Sequence, residues 1–216
     1  MLKRNETVFG LHDTAREKSS CGVGFITRKD GVQTHKLLEK GHEALCSVPH
    51  RGGMSAEGVG DGAGVSVDLS IEFFQKITNT DLKAGQFGVG NFFMPNRQEQ
   101  RDKACQLIAS SLADSGLKIL AERDIAVDNG VLRSAAIDLQ LPITQWIFLA
   151  PMGISGVKFE KLIYAVLLAI ESQAYTDVEL DGLYPLSMSS QTQVLKGRLN
   201  SNEIIPYFKD LNDSSH

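Results

Sequence analysis

Apolar and polar positions change period along this chain often enough to mark out its elements. From Thr34 to Val48, the residues Leu37, Leu38, Ala44, Leu45 and Val48 recur at helical spacing, and Pro49 ends the run. A short helix is predicted around Ile71–Ile77. Another spans Arg97–Ser115, with Ala104, Leu107, Ile108, Ser111 and Leu112 on one face and Gly116 just beyond its end. Val131–Leu139 and Val157–Tyr175 complete the helices, the second long and apolar along one face. Between them stand strand-like runs: GVGFIT after Cys21, closed by the turn Lys29-Asp30-Gly31; VSVDL; QFGVGNFFM, stopped by Pro95; the short LKIL and DIAV; and ITQWIFLA. LYPLSMSS and QTQVLKG look like a closing hairpin. The succession predicts a mixed α+β or layered α/β domain, with no linker between residues 21 and 210 and no internal repeat.

Composition narrows the class. The 216 residues are 42% hydrophobic and 22% charged, enough to bury a core, and carry a net charge of −4. Acidic and basic residues are mixed, and no basic stripe points to nucleic acid. The longest apolar stretch, LIYAVLLAI at 162–170, is too short to span a bilayer, so no membrane partner is expected. The first twenty residues hold no signal-length apolar run and include Glu6, Asp13 and Glu17. Three cysteines without a CxxC pair argue against a disulfide framework and a cysteine zinc site, and a reducing cytoplasm is the expected home. No metal site is expected, although His35 and His42 lie seven apart on one helix without a third ligand.

Candidate chemistry concentrates near the N-terminus. Cys21 heads a glycine-spaced strand-like run, with Ser19, Ser20, Gly22 and Gly24 around it. It fits a small buried hydrophobe, and it also fits a nucleophile. No histidine adjacent in sequence serves as its base. Cutting the chain between Ser20 and Cys21 would supply one, because an α-amino group titrates near ~8 and can take the thiol proton. HRGG at 50–53 reads either as a helix-ending loop with a solvated Arg51 or as a cation beside a thiol or a carboxylate substrate. GVGDGAG lacks the Gly-Lys-Ser/Thr of a phosphate loop and reads as a turn feeding a strand. Cys46 and Cys105 sit in helical patterns and read as packing residues.

CGVGF, a helix, HRGG, GDGAG and then a strand, followed in order by AERDIAVD, ITQWIF, LSMSSQTQVLKG and YFKDLND, resemble the start of the glutamate synthase large subunit. That region is a class II glutamine amidotransferase domain of the N-terminal-nucleophile hydrolase type. The resemblance covers nearly everything from Cys21 onward. It implies a leader at 1–20, a domain from 21 to 216, and an α+β four-layer α/β/β/α sandwich. It makes Cys21 the nucleophile, with Arg51 and Gly52 close to it, and L-glutamine the substrate, hydrolysed through a thioester to glutamate and ammonia. The ammonia would serve glutamate synthesis from 2-oxoglutarate. FMN and an iron–sulfur cluster are implied for a full-length enzyme and no cofactor for these residues. The implied partners are the rest of the large subunit and a small electron-donor subunit. The family's carboxylate-gripping arginine, its oxyanion-hole Asn-Gly pair and its amine-binding Asp find no match by residue 216. The resemblance therefore leads to the expectation of an incomplete sandwich and an inactive fragment. The alternative is a catalytically silent folding or interaction module.

Overall fold

A computed structural model describes residues 22–48 and 53–216. Its elements run α1 (His35–Cys46), β1 (Ala63–Asp68), α2 (Ile71–Thr78), β2 (Phe87–Phe93), α3 (Gln98–Asp114), β3 (Lys118–Asp124), α4 (Ser134–Ile137), β4 (Ile143–Leu149), α5 (Gly156–Thr176), β5 (Tyr184–Ser189), β6 (Thr192–Gly197) and α6 (Ile204–Tyr207). All pairings are antiparallel. They give a four-stranded sheet in the order β3-β4-β2-β5 and a two-stranded sheet of β1 with β6. The fold is α+β, as predicted.

Local sequence explains the long elements. Ser70 accepts the Phe73 amide hydrogen bond at the start of α2, and Gly116 at φ 74° takes the left-handed position beyond α3. β2 and β4 are almost entirely buried, which is why both read as near-continuous apolar runs. Their even-numbered residues, Phe92, Trp146 and Phe148, pack under α3 and α5 against Ile108, Leu112, Phe159 and Ile163. Gly88 and Gly90 leave that face room: a Cβ on Gly88 would stand 2.6 Å from the Phe148 ring.

The odd-numbered face looks towards β6, and its centre is polar. Asn91, Gln145 and Gln193 are all buried. Gln145 Nε2 donates to Asn91 Oδ1 and to Gln193 Oε1, each at 2.9 Å. Gln145 Oε1 accepts from Arg123 Nε and Nη2 at 2.9 and 2.6 Å, and Arg123 also pairs with Asp210. Asn91 Nδ2 reaches across to the Val194 carbonyl at 3.0 Å. Every donor and acceptor of the Gln145 carboxamide is used, the condition under which buried polar groups are tolerated.

Four expectations change. GVGFIT forms no strand: 22–28 has no ladder partner among the described residues, and Val23 and Phe25 are exposed. A strand-forming sequence without an edge to pair with stays irregular. LKIL and DIAV are not two strands. β3 runs through to Asp124, and DIAV contributes only the isolated bridge from Val127 to Phe208. The helix predicted over 131–139 shrinks to a 3₁₀ turn at 129–131 and the single turn α4. Lastly, LYPLSMSS and QTQVLKG are not a paired hairpin. β5 pairs with β2 while β6 pairs with β1, so the connection is an arch between sheets. Glu160 of α5 secures its apex by accepting from the amide and hydroxyl of Ser190 at 2.9 and 2.6 Å. Burial raises the Glu160 carboxyl's pKa, but hydrogen bonds from Ser189 and Ser190 outweigh this and hold it below its usual value.

Candidate functional site

Cys21, Arg51 and Gly52 lie outside the described residues, as do the leader positions 1–20 and Pro49. Their sequence neighbours are described, and these converge. Gly22 and Gly53 line one cavity of about 980 Å³, built from the end of α1, residues 53–66, the loop before β4, and β6 with the turn after it.

The wall at 53–61 is a tight glycine loop. Met54 bridges to Gly60, and the Ser55 amide donates to the Val59 carbonyl at 2.8 Å. The Asp61 amide donates to the Gly53 carbonyl at 2.9 Å, and a Cβ on Gly53 would collide with the Asp61 carboxylate. Gly58, at φ 78°, packs directly on the Arg133 guanidinium: a Cβ there would meet Arg133 Cζ at 2.6 Å. Arg133 also donates to the Glu57 carbonyl at 3.4 Å, and Asn200 Nδ2 donates to the Gly58 carbonyl at 3.2 Å. Glycine is needed here for the close approach of other groups, more than for a phosphate cradle.

The facing wall carries charge. Arg133, Lys196 and Arg198 line the cavity together with Asp61 and Glu203. Lys196 Nζ stands 5.1 Å from the Tyr184 ring centroid. Glu203 is committed to the turn, where it accepts from the Asn200 amide at 2.7 Å in a capping box. Gln140 Nε2 holds the Arg198 carbonyl at 2.9 Å. A cavity of this size with both signs of charge suits a small zwitterionic molecule. Sequence reasoning singled out Asp61 with its glycines, and the structure puts them on the cavity. It missed Arg133, Arg198 and Asn200, which no local motif marks, and gave no role to Lys196, although that residue stands in the LSMSSQTQVLKG stretch.

The remaining candidates separate from this site. Burial, then the hydrogen bond to Glu122 at 3.2 Å, pushes the Cys105 thiol up to about 12, so it is no thiolate nucleophile. Cys46 Sγ is 3.5 Å from His42 Nε2, and that nitrogen also lies 3.1 Å from the Ser201 carbonyl. The carbonyl only accepts, so it fixes the proton on Nε2 and orients the ring. His35 faces Glu39 instead of His42. Among the described residues, no group of three or more His, Cys, Asp or Glu side chains is arranged to hold a metal ion, and no helix is long and apolar enough to cross a membrane.

Residues 21–216 match the family model described as "Glutamine amidotransferases class-II". The chain is 30% identical, over 95% of its length, to "Glutamate synthase [NADH]" of Saccharomyces cerevisiae. It is likewise 30% identical over 95% to "Glutamate synthase [NADPH] large chain" of Bacillus subtilis, and 30% over 98% to "Ferredoxin-dependent glutamate synthase 2" of Synechocystis. It spans only 10% of the yeast protein and 14% of each of the other two.

Proposed function

The chain belongs to the class-II glutamine amidotransferases, and from that membership we propose that it is the glutaminase part of a glutamate synthase, with Cys21 as its nucleophile. The observation that carries this reading is the cavity shared by Gly22 and Gly53. Each is one peptide unit, about 3.8 Å between Cα atoms, from Cys21 and Gly52 respectively.

Removal of residues 1–20 gives Cys21 a free α-amine. This amine takes the thiol proton, and the sulfur attacks the side-chain carbonyl carbon of glutamine. The C–S bond forms, the C–N bond breaks, and ammonia leaves with the proton returned by the α-ammonium group. Water then hydrolyses the thioester, releasing glutamate and restoring the thiol. Arg51 and Gly52 shape the substrate's approach. The fold is the four-layer sandwich of N-terminal-nucleophile hydrolases, with α1 as an outer helix. Its Leu38 and Leu45, like Val65 of the two-stranded sheet, pack against the cluster that includes Leu195.

The ammonia would supply glutamate synthesis from 2-oxoglutarate in a larger cytoplasmic polypeptide, with an electron-donor subunit as partner. FMN and an iron–sulfur cluster would supply the redox chemistry of that synthesis. The described residues do not fit the cluster, which takes cysteine thiolates, since they contain no metal-capable group.

The test uses the polypeptide that carries these residues in the cell. Intact mass and N-terminal sequencing should find Cys21 first. An electrophilic glutamine analogue should label Cys21, and Cys21→Ala should abolish glutamine hydrolysis while ammonia-driven synthesis persists. Label on Cys46 or Cys105, or activity with the leader retained, would overturn the mechanism.

A further inference from the structure

The cavity is lined by segments distant in the chain, and three of them meet at the turn 199–203 that follows β6. The first is the glycine loop at 53–61. Gly58, Val59 and Gly60 are buried there, so their backbone polar groups need partners inside the protein. The Gly58 carbonyl finds one in a side chain, Asn200 Nδ2 at 3.2 Å. Gly60 lies directly on the backbone of the turn: a Cβ there would stand 2.3 Å from the Leu199 carbonyl oxygen. The second segment is α1, whose Leu45 lines the cavity. This helix has no fully buried side chain. Among the described residues, the one side-chain hydrogen bond that leaves it runs from His42 Nε2 to the Ser201 carbonyl at 3.1 Å. The third is the loop before β4, from which Gln140 Nε2 donates to the Arg198 carbonyl at 2.9 Å, one residue ahead of the turn.

The turn is stiff enough to pass position from one of these segments to another. Its capping box fixes it from within, the Asn200 amide donating to Glu203 Oε2 at 2.7 Å and the Glu203 amide to the Asn200 carbonyl at 3.0 Å. Its outward contacts are then two: Ser201 accepts from α1, and Asn200 donates to the glycine loop. His42 itself does not line the cavity, so any effect it has on a bound molecule travels through the turn.

We propose that His42 is a positioning residue for glutamine: from outside the cavity it holds the turn at 199–203, and through Asn200 that turn holds the glycine loop in place. The proposal rests on the glutaminase reading. A wall that touches glutamine equally before and during the reaction contributes uniform binding, so displacing it raises KM and leaves kcat nearly as it was.

The polypeptide that carries these residues in the cell is assayed for glutamine hydrolysis, and amide hydrogen exchange is followed on the same samples. His42→Leu, which removes the donor, should raise KM about fivefold with kcat within about twofold of wild type. His42→Gln keeps a side-chain N–H for the Ser201 carbonyl and should stay within about twofold in both constants. Asn200→Ser keeps a good cap but is too short to reach Gly58, and should raise KM about as much as His42→Leu. Because the two contacts act in series, the double variant should match the worse single one within about twofold. The Ser55 and Asp61 amides, bonded to the Val59 and Gly53 carbonyls at 2.8 and 2.9 Å, should exchange faster in His42→Leu, while those of β2 and β4 stay protected. A fall in kcat at constant KM would reduce His42 to a stability role and overturn the proposal. So would His42→Gln behaving like His42→Leu, or KM effects that multiply in the double variant. Hydrolysis that survives Cys21→Ala would instead overturn the glutaminase reading, and the exchange data would still decide the tether: unchanged Ser55 and Asp61 amides in His42→Leu refute it.

Discussion

Replacing Gln145 by Leu tests whether the polar centre between the sheets holds them together. Leucine matches glutamine closely in shape, so little cavity opens and the change isolates the hydrogen bonds. Four are lost: two donated, to Asn91 and Gln193, and two accepted from Arg123. Asn91 Oδ1 and Gln193 Oε1 lose their closest donors, although Asn91 Nδ2 still approaches Gln193 at 3.4 Å. Arg123 keeps Asp210, and 21% of its side chain is exposed, so its loss is softened. A buried orphan costs about 1–3 kcal/mol, and burying the leucine returns about 1 kcal/mol, for a net loss near 3 kcal/mol. That is a large share of a total stability of about 5–15 kcal/mol. It corresponds to a fall in Tm of about 6–12 °C for a chain of this size. Urea and thermal unfolding of wild type, Gln145→Leu, Asn91→Leu and the double variant would measure it, with a coupling of at least about 1 kcal/mol expected between the two sites. A loss below about 1 kcal/mol with no coupling would show that the sheets are joined by apolar packing alone.

Two further predictions follow from the site and from acid behaviour. Arg133→Ala frees the glycine loop from the guanidinium on Gly58 and should raise KM for glutamine about tenfold with Tm nearly unchanged, while Arg133→Lys recovers part of the loss; steady-state kinetics beside thermal melts decide, and an unchanged KM would remove Arg133 from the site. Burial holds His216 down at about 4, where it stacks on Phe73 and meets Gln193, with Asp210, Asp213, Arg123 and His35 around it. The unfolded chain binds that proton more readily than the folded one. The contribution is therefore present above about 6.5 and is lost as pH falls towards 4, amounting to about 2 kcal/mol between pH 7 and 5. Denaturation at both pH values should show that loss in wild type and a smaller one in His216→Gln, and equal losses would refute it.

How much was legible in the sequence depended on where each residue's partners lie. β2, β4, α3 and α5 carry their own signals, because continuous burial and helical periodicity are written into consecutive residues. The family was legible as an ordered set of motifs, with GDGAG leading into β1 where it was expected. GVGFIT misled because alternation reports strand propensity and cannot report whether an edge is available. The arch from β5 to β6 misled for a related reason: short apolar runs joined by Ser-Ser-Gln say nothing about which sheet each will enter. Gln145 and Gln193 read as ordinary strand residues, since a network across about 50 residues of sequence has no local period. Arg133 and Arg198 were silent too, each being an isolated cation until the fold brings it to the cavity.

The cavity also has a schedule. The residues of its first wall, among them Gly22, Leu45, Gly53 and Asp61 to Ser66, are synthesised early, but β1 closes only onto β6, roughly 130 residues later in the chain, so this pairing is among the last to become possible. Until Val194 to Glu203 have left the ribosome, the cavity that Gly22 and Gly53 line lacks the wall those residues supply. Any step that depends on the complete cavity is thereby timed to follow synthesis of the last wall.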